Sequence, residues 1–117
     1  MKIKEATGYL EKLEKVSKSE MELPVSVAYK IAKTKKNLSD ALATFFDERN
    51  KLMQKYSNGT MKLSVDDEGY SAFLKDVYEL VEQEAGDITV LKFSVDQLGD
   101  SKIPMDIMDS LMFMFED

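Results

Sequence analysis

The chain has 117 residues, 44% of them hydrophobic, a formal net charge of -6, and neither histidine nor cysteine. That length suits one ordinary domain with a buried core, and the missing cysteines exclude a disulfide scaffold or a thiolate zinc site and point to a reducing, cytoplasmic setting. Charge is divided along the chain: residues 1–56 hold twelve Lys/Arg against eight Asp/Glu and residues 57–117 four against fourteen, which argues against a protein that coats nucleic acid and for one that meets a protein through a polarised surface.

Ile3, Ala6, Leu10, Leu13 and Val16 recur at helical spacing between lysines and glutamates, so a first amphipathic helix is expected over about 3–17. Residues 1–5 alternate in charge, and no run approaches the roughly 20 apolar residues of a bilayer span; neither a leader nor a membrane anchor is expected. Pro24 suits the first position of a second helix. From Ala28 a heptad seam follows, Ile31, Lys35, Leu38, Leu42, Phe45, Arg49, Leu52 and Tyr56, predicting one long helix over 24–56, widened by Ala41, Phe46 and Met53 into a bundle face.

Asn58-Gly59 marks a turn, and Met61, Leu63 and Val65 alternate with polar residues as in a short strand. Asp66, Asp67 and Glu68 put negative charge where the next helix starts, expected over about 67–85 with Tyr70, Phe73, Leu74, Val77, Leu80 and Val81 inward and Gly86 as its cap. Residues 88–95 read as the best strand, pairing with 61–65. Pro104 opens a last helix, whose residues 111–115 are apolar without a break. The resulting expectation is an α+β, mainly α fold. It has about four helices, including the long one at 24–56, and a two-stranded antiparallel β ribbon from 61–65 and 88–95. All of this lies in a single domain, 1–117, with the apolar helix at 104–116 available as an interface.

Without His or Cys the commonest general base, transition-metal ligand and neutral-pH nucleophile are all missing. Asp76, Glu79 and Glu82 share a helix surface, but that stripe lies opposite the apolar face and reads as a solvated acidic surface, not a carboxylate pair for hydrolysis. Asp66, Asp67 and Glu68 lack calcium-loop spacing, and no Gly-rich phosphate loop occurs. The lysines at 30, 33, 35 and 36 form one patch without interleaved aromatics, which disfavours direct nucleic-acid binding. The expectation is therefore a chain that is not an enzyme and needs no cofactor or metal. Met105, Met108, Met112 and Met114 add an adaptable apolar end of the kind used at partner surfaces.

The segments ERNKLMQKY and DDEGYSAFLKDVYELVEQEAGDITVLKF, within 48–93, resemble small uncharacterised proteins of phages and prophages of Gram-positive bacteria. In those a long helix ending in Lys-Tyr leads through an acidic-Gly link to a helix and then a strand. The resemblance implies a phage accessory or morphogenesis protein in the host cytoplasm and supplies no catalytic residue. Two functions compete. The first is an acidic inhibitor, such as a counter-defence or anti-CRISPR-like protein, that docks on a basic, nucleic-acid-handling host protein through Asp76, Glu79, Glu82, Asp106, Asp109, Met112 and Phe113. The alternative is a virion or tail-assembly component that self-associates, for instance as a dimer through the long helix or the C-terminal helix.

Overall fold

The stripe Ile3, Ala6, Leu10, Leu13 and Val16 is buried along one face of α1 (Ile3–Lys18). Glu5 stands in the first turn of that helix and Lys15 and Lys18 in its last, each complementing the macrodipole. The computed structural model describes residues 1–116. It continues with α2 (Val25–Ala41), α3 (Ala43–Tyr56), α4 (Tyr70–Val81) and α5 (Met105–Leu111), with 3-10 turns at Val95–Leu98 and Met112–Met114. α1 is the hub: it packs on α2 and α5 and touches α4, while α3 packs on α4. The molecule is elongated, 53 × 27 × 19 Å.

The main core joins the α1 stripe to Val27, Ile31, Leu38 and Leu42, to Phe45 at the start of α3, and to Phe93, Leu98, Ile107, Leu111 and Met114 from the last third of the chain. Phe73 of α4 is buried outside that cluster. The α3–α4 hairpin thus has a small interior of its own.

The long helix expected over 24–56 is two helices. Leu42 leaves helical geometry, with φ -94° and ψ 0°. Its N–H still donates to the Leu38 carbonyl and its carbonyl accepts from Phe46 N–H, both at 3.0 Å. Neither Pro nor Gly stands there to announce the interruption. Leu38, Leu42 and Phe45 form one buried row across it. Pro24 caps α2 from outside, with Val25 as the first helical residue. The next helix is shorter than the expected 67–85: α4 closes at Glu82, and Gly86, at φ +92°, belongs to the turn beyond it.

Among the described residues the expected β ribbon does not form, and the fold is all-helical with five α-helices in place of α+β with about four. Two isolated bridges are the only strand-like pairings among the described residues, Lys2 with Glu84 and Phe93 with Phe115. At 61–65 the alternating pattern meets a loop. Met61 sits at φ +60°, its N–H donates to Ser57 Oγ at 2.9 Å, and Ser64 N–H donates to the Asp67 carboxylate at 2.8 Å. The left-handed φ of Met61 is incompatible with a strand. The other half of the ribbon lies elsewhere, bonded to side chains of α2.

Segment 87–94 satisfies part of its backbone with helix side chains. Asn37 Nδ2 donates to the Thr89 carbonyl at 3.0 Å, Leu91 N–H donates to Thr34 Oγ1 at 3.0 Å, and Lys30 Nζ donates to the Lys92 carbonyl at 2.9 Å. These donors and acceptors recur once per turn or so along one face of α2, which lets a helix stand in for a neighbouring strand. Phe93 then bonds the segment that follows α5: its N–H donates to the Met114 carbonyl and its carbonyl accepts from Glu116 N–H, both at 2.9 Å. The final helix accordingly stops at Leu111 and tightens into a 3-10 turn, instead of running to about residue 115.

Candidate protein-binding surface

The predicted acidic residues separate into two sets, one on and just past α4 and one on α5. Asp76 and Glu79 lie on α4 and Glu82 just past its end. Glu82 bridges Lys2 Nζ at 3.0 Å and Lys4 Nζ at 2.7 Å. Those hydrogen bonds, the one from Lys4 foremost, hold the Glu82 carboxyl below its usual range, and the same contact raises the Lys2 ammonium above its own. The backbone adds a clasp there, with Ile3 N–H donating to the Gln83 carbonyl and Ala85 N–H to the Met1 carbonyl, each at 2.9 Å.

Asp106 and Asp109 belong to α5, beside the C-terminal half of α1, where Lys15 Nζ lies 3.3 Å from Asp106. Lys4 and Lys15 are eleven residues apart on one helix, about 16 Å along its axis. The two sets are therefore separate patches. Within them Glu82 and Asp106 are already matched by lysines, whereas Glu79 and Asp109 form no ion pair among the described residues.

On the hairpin the acidic residues meet apolar ones. A shallow groove of about 270 Å³ runs between α3 and α4, with Leu52 and Leu80 on its floor and Glu48, Asp76 and Glu79 around it. Asp76 is half-buried and accepts a hydrogen bond from the Tyr56 hydroxyl. That bond, then desolvation, raises the Tyr56 pKa. Among the described residues Glu48 is balanced only by its exposed neighbour on the same helix, Lys51, at 3.1 Å.

The two apolar candidates differ. Met112 is 60% exposed, while Phe113 is half-buried and stacks on Tyr9, ring centroids 4.2 Å apart and planes within 6°. Leu111 and Met114 are fully buried. Glu48 and Tyr56 were not among the residues singled out from sequence as binding candidates. Glu48 was legible: it precedes the seam residue Leu52 by one helical turn, so it had to flank the same face.

The lysine patch is partly used internally, Lys30 on the Lys92 carbonyl and Lys36 on Asp40 at 2.7 Å. Among the described residues no three His, Cys, Asp or Glu side chains are grouped to hold a metal ion, and no helix is long and apolar enough to cross a membrane. No family model, curated protein or solved structure matches the chain.

Proposed function

We propose that the chain is a non-catalytic binding module whose α3–α4 groove receives a basic, amphipathic segment of a protein partner. The observation that carries this reading is the combination of an apolar floor, Leu52 and Leu80, with the carboxylates of Glu48, Asp76 and Glu79 around it. An apolar floor supplies affinity and a charged rim supplies orientation and association rate. A host nucleic-acid-handling protein offers such basic segments, and occupying one would inhibit it; the phage setting of this proposal rests on the resemblance within 48–93. Lysate proteins retained by the immobilised chain at low salt and released at high salt supply the partner. That partner is then titrated against the parent and a Glu48→Lys/Glu79→Lys variant. The variant should associate at least about tenfold more slowly and with a flatter salt dependence. Parental kinetics in the variant would overturn the groove reading.

The assembly alternative draws on a different feature. Met105 and Met112, 80% and 60% exposed, lie seven residues apart on the outer side of α5 and its following turn. Contact through them would be apolar and salt-tolerant. Oligomers that persist at high salt and vanish in a Met105→Glu/Met112→Glu variant would favour it.

A further inference from the structure

α2 carries one stripe that faces the core, Val27, Ile31, Thr34 and Leu38, and a second that lies in solvent. The second is Val25, Ala28, Tyr29 and Ala32, at the i, i+3, i+4, i+7 spacing of a single helix face. All four are exposed, Val25 at 87% and Tyr29 at 64%. Beside them is a cavity of about 170 Å³, lined by Met21 and Leu23 and by the stripe's own Ala28 and Ala32. Single exposed apolar residues are ordinary, but a contiguous stripe with a hollow at its side marks a contact surface. Charge is ordered along the same line: Glu20 and Glu22 precede the stripe, and Lys33 and Lys36 follow Tyr29 and Ala32 by one helical turn each. Glu20, Glu22 and Lys33 form no ion pair among the described residues, and Lys36 forms only an exposed one with Asp40, of a kind that contributes little.

We propose that this face packs on the same face of a second copy, α2 against α2 and antiparallel, about a two-fold axis between Ala28 and Tyr29. The occupant follows from the order of sizes and charges along the helix. In that register Tyr29 lies over the second copy's Ala28, next to its hollow, and Val25 lies over its Ala32, large against small at each step. The Lys33–Lys36 end of each helix comes over the Glu20–Glu22 end of the other. Parallel pairing would instead set Tyr29 on Tyr29 and lysines on lysines. A foreign helix would have to reproduce the whole sequence of acid, apolar and base, whereas a second copy carries it by construction. Closed two-fold pairing of this kind is the commonest route to a homodimer. Two half-helices bury less than the roughly 1,200 Å² of a standard interface, so the dimer forms reversibly with concentration. The face shares no residue with the α3–α4 groove, so dimerisation and partner binding there are independent.

Sedimentation should show the mass rising from monomer to dimer with concentration. Tyr29→Ser, at an exposed site, should keep the parental unfolding midpoint and weaken dimerisation by about tenfold or more. The charge order gives a sharper check. A Glu20→Lys/Glu22→Lys variant has both ends of the face basic, and a Lys33→Glu/Lys36→Glu variant has both acidic. Each alone should stay monomeric at concentrations where the parent dimerises, and an equimolar mixture should dimerise again, because every basic end then meets an acidic one. Adding Tyr29→Ser to both chains should abolish the mixed dimer. A monomer at every concentration would overturn the proposal and leave the stripe to another protein's helix. So would a dimer indifferent to Tyr29→Ser, or one lost in the Met105→Glu/Met112→Glu variant, which would put the contact on α5.

Discussion

The Tyr56 hydroxyl donates to an Asp76 carboxylate oxygen at 2.5 Å, tying the last residue of α3 to the middle of α4. This is the polar fastening of a hairpin whose apolar interior is small. Because the fold raises the Tyr56 pKa, its contribution is fully present below the ordinary tyrosine value of 10.0 and is lost as pH rises through the higher folded value. Denaturation curves of the parent and Tyr56→Phe should therefore lie apart at neutral pH, with the parent more stable, and converge in strongly alkaline solution. A constant separation across that range would assign the effect to packing and not to the hydroxyl.

A second fastening of the same hairpin is steric. Gly69, just before α4, lies so close to the end of α3 that an added Cβ would stand 2.6 Å from the Tyr56 carbonyl oxygen. The obstacle is backbone and cannot rotate away. Gly69→Ala should destabilise the chain by about 1–3 kcal/mol, read by urea denaturation, whereas Gly8→Ala, which meets nothing within 4 Å, should be neutral or stabilising.

Thr34 is fully buried and accepts the Leu91 N–H. Thr34→Val keeps the shape and removes the acceptor, leaving that amide unpaired at a cost of about 1–3 kcal/mol. Thr34→Ser should retain the bond. Hydrogen exchange at Leu91 distinguishes the two substitutions: it should be fast in the Thr34→Val chain and slow in the Thr34→Ser chain when both are compared at equal global stability.

Glu82 sits between two lysines of α1 and its N-terminal flank. Its carboxyl pKa is lowered by folding, so its contribution is present above the unfolded value near 4.5 and disappears as pH falls through the lower folded value. The stability gap between the parent and Glu82→Gln should close on acidification. Because all three side chains are exposed, it should also shrink with salt at neutral pH.

Adjacent residues of the apolar end should respond in opposite ways. Met112→Glu should change stability by no more than about 0.5 kcal/mol. Phe113→Glu loses the Tyr9 stack and places a carboxylate in a half-buried site, which should cost on the order of 1–2 kcal/mol. Equal behaviour of the two in thermal denaturation would contradict the packing.

Where helical spacing ran long, as from Ile3 to Val16, the pattern located both the helix and its buried side, because one stripe had one core to face. The ribbon failed for a different reason. Alternation at 61–65 and apolarity at 88–95 describe backbones that can be extended, but pairing depends on which segments the tertiary fold brings together, and here the second is bonded to α2. The break at Leu42 was invisible because no Gly or Pro marks it. For the candidate surface, helical spacing put Asp76 and Glu79 on one helix, and both lie on α4. Spacing along one helix could not reveal that Glu82 and Asp106 would be matched by lysines at and near α1, since those partners are remote in sequence.

The row of α2 side chains that holds segment 87–94 also orders events in time. Asn37, Thr34 and Lys30 bind groups 52, 57 and 62 residues further along the chain. Closing loops of that length is entropically slow compared with forming the helices between them. During synthesis α1 to α4 can therefore be in place while Thr34 still waits for its donor and Phe93 for the carbonyl of Met114. Residues made late lock the first half shut, so chains truncated shortly before Met114 should accumulate as helical but loosely packed species.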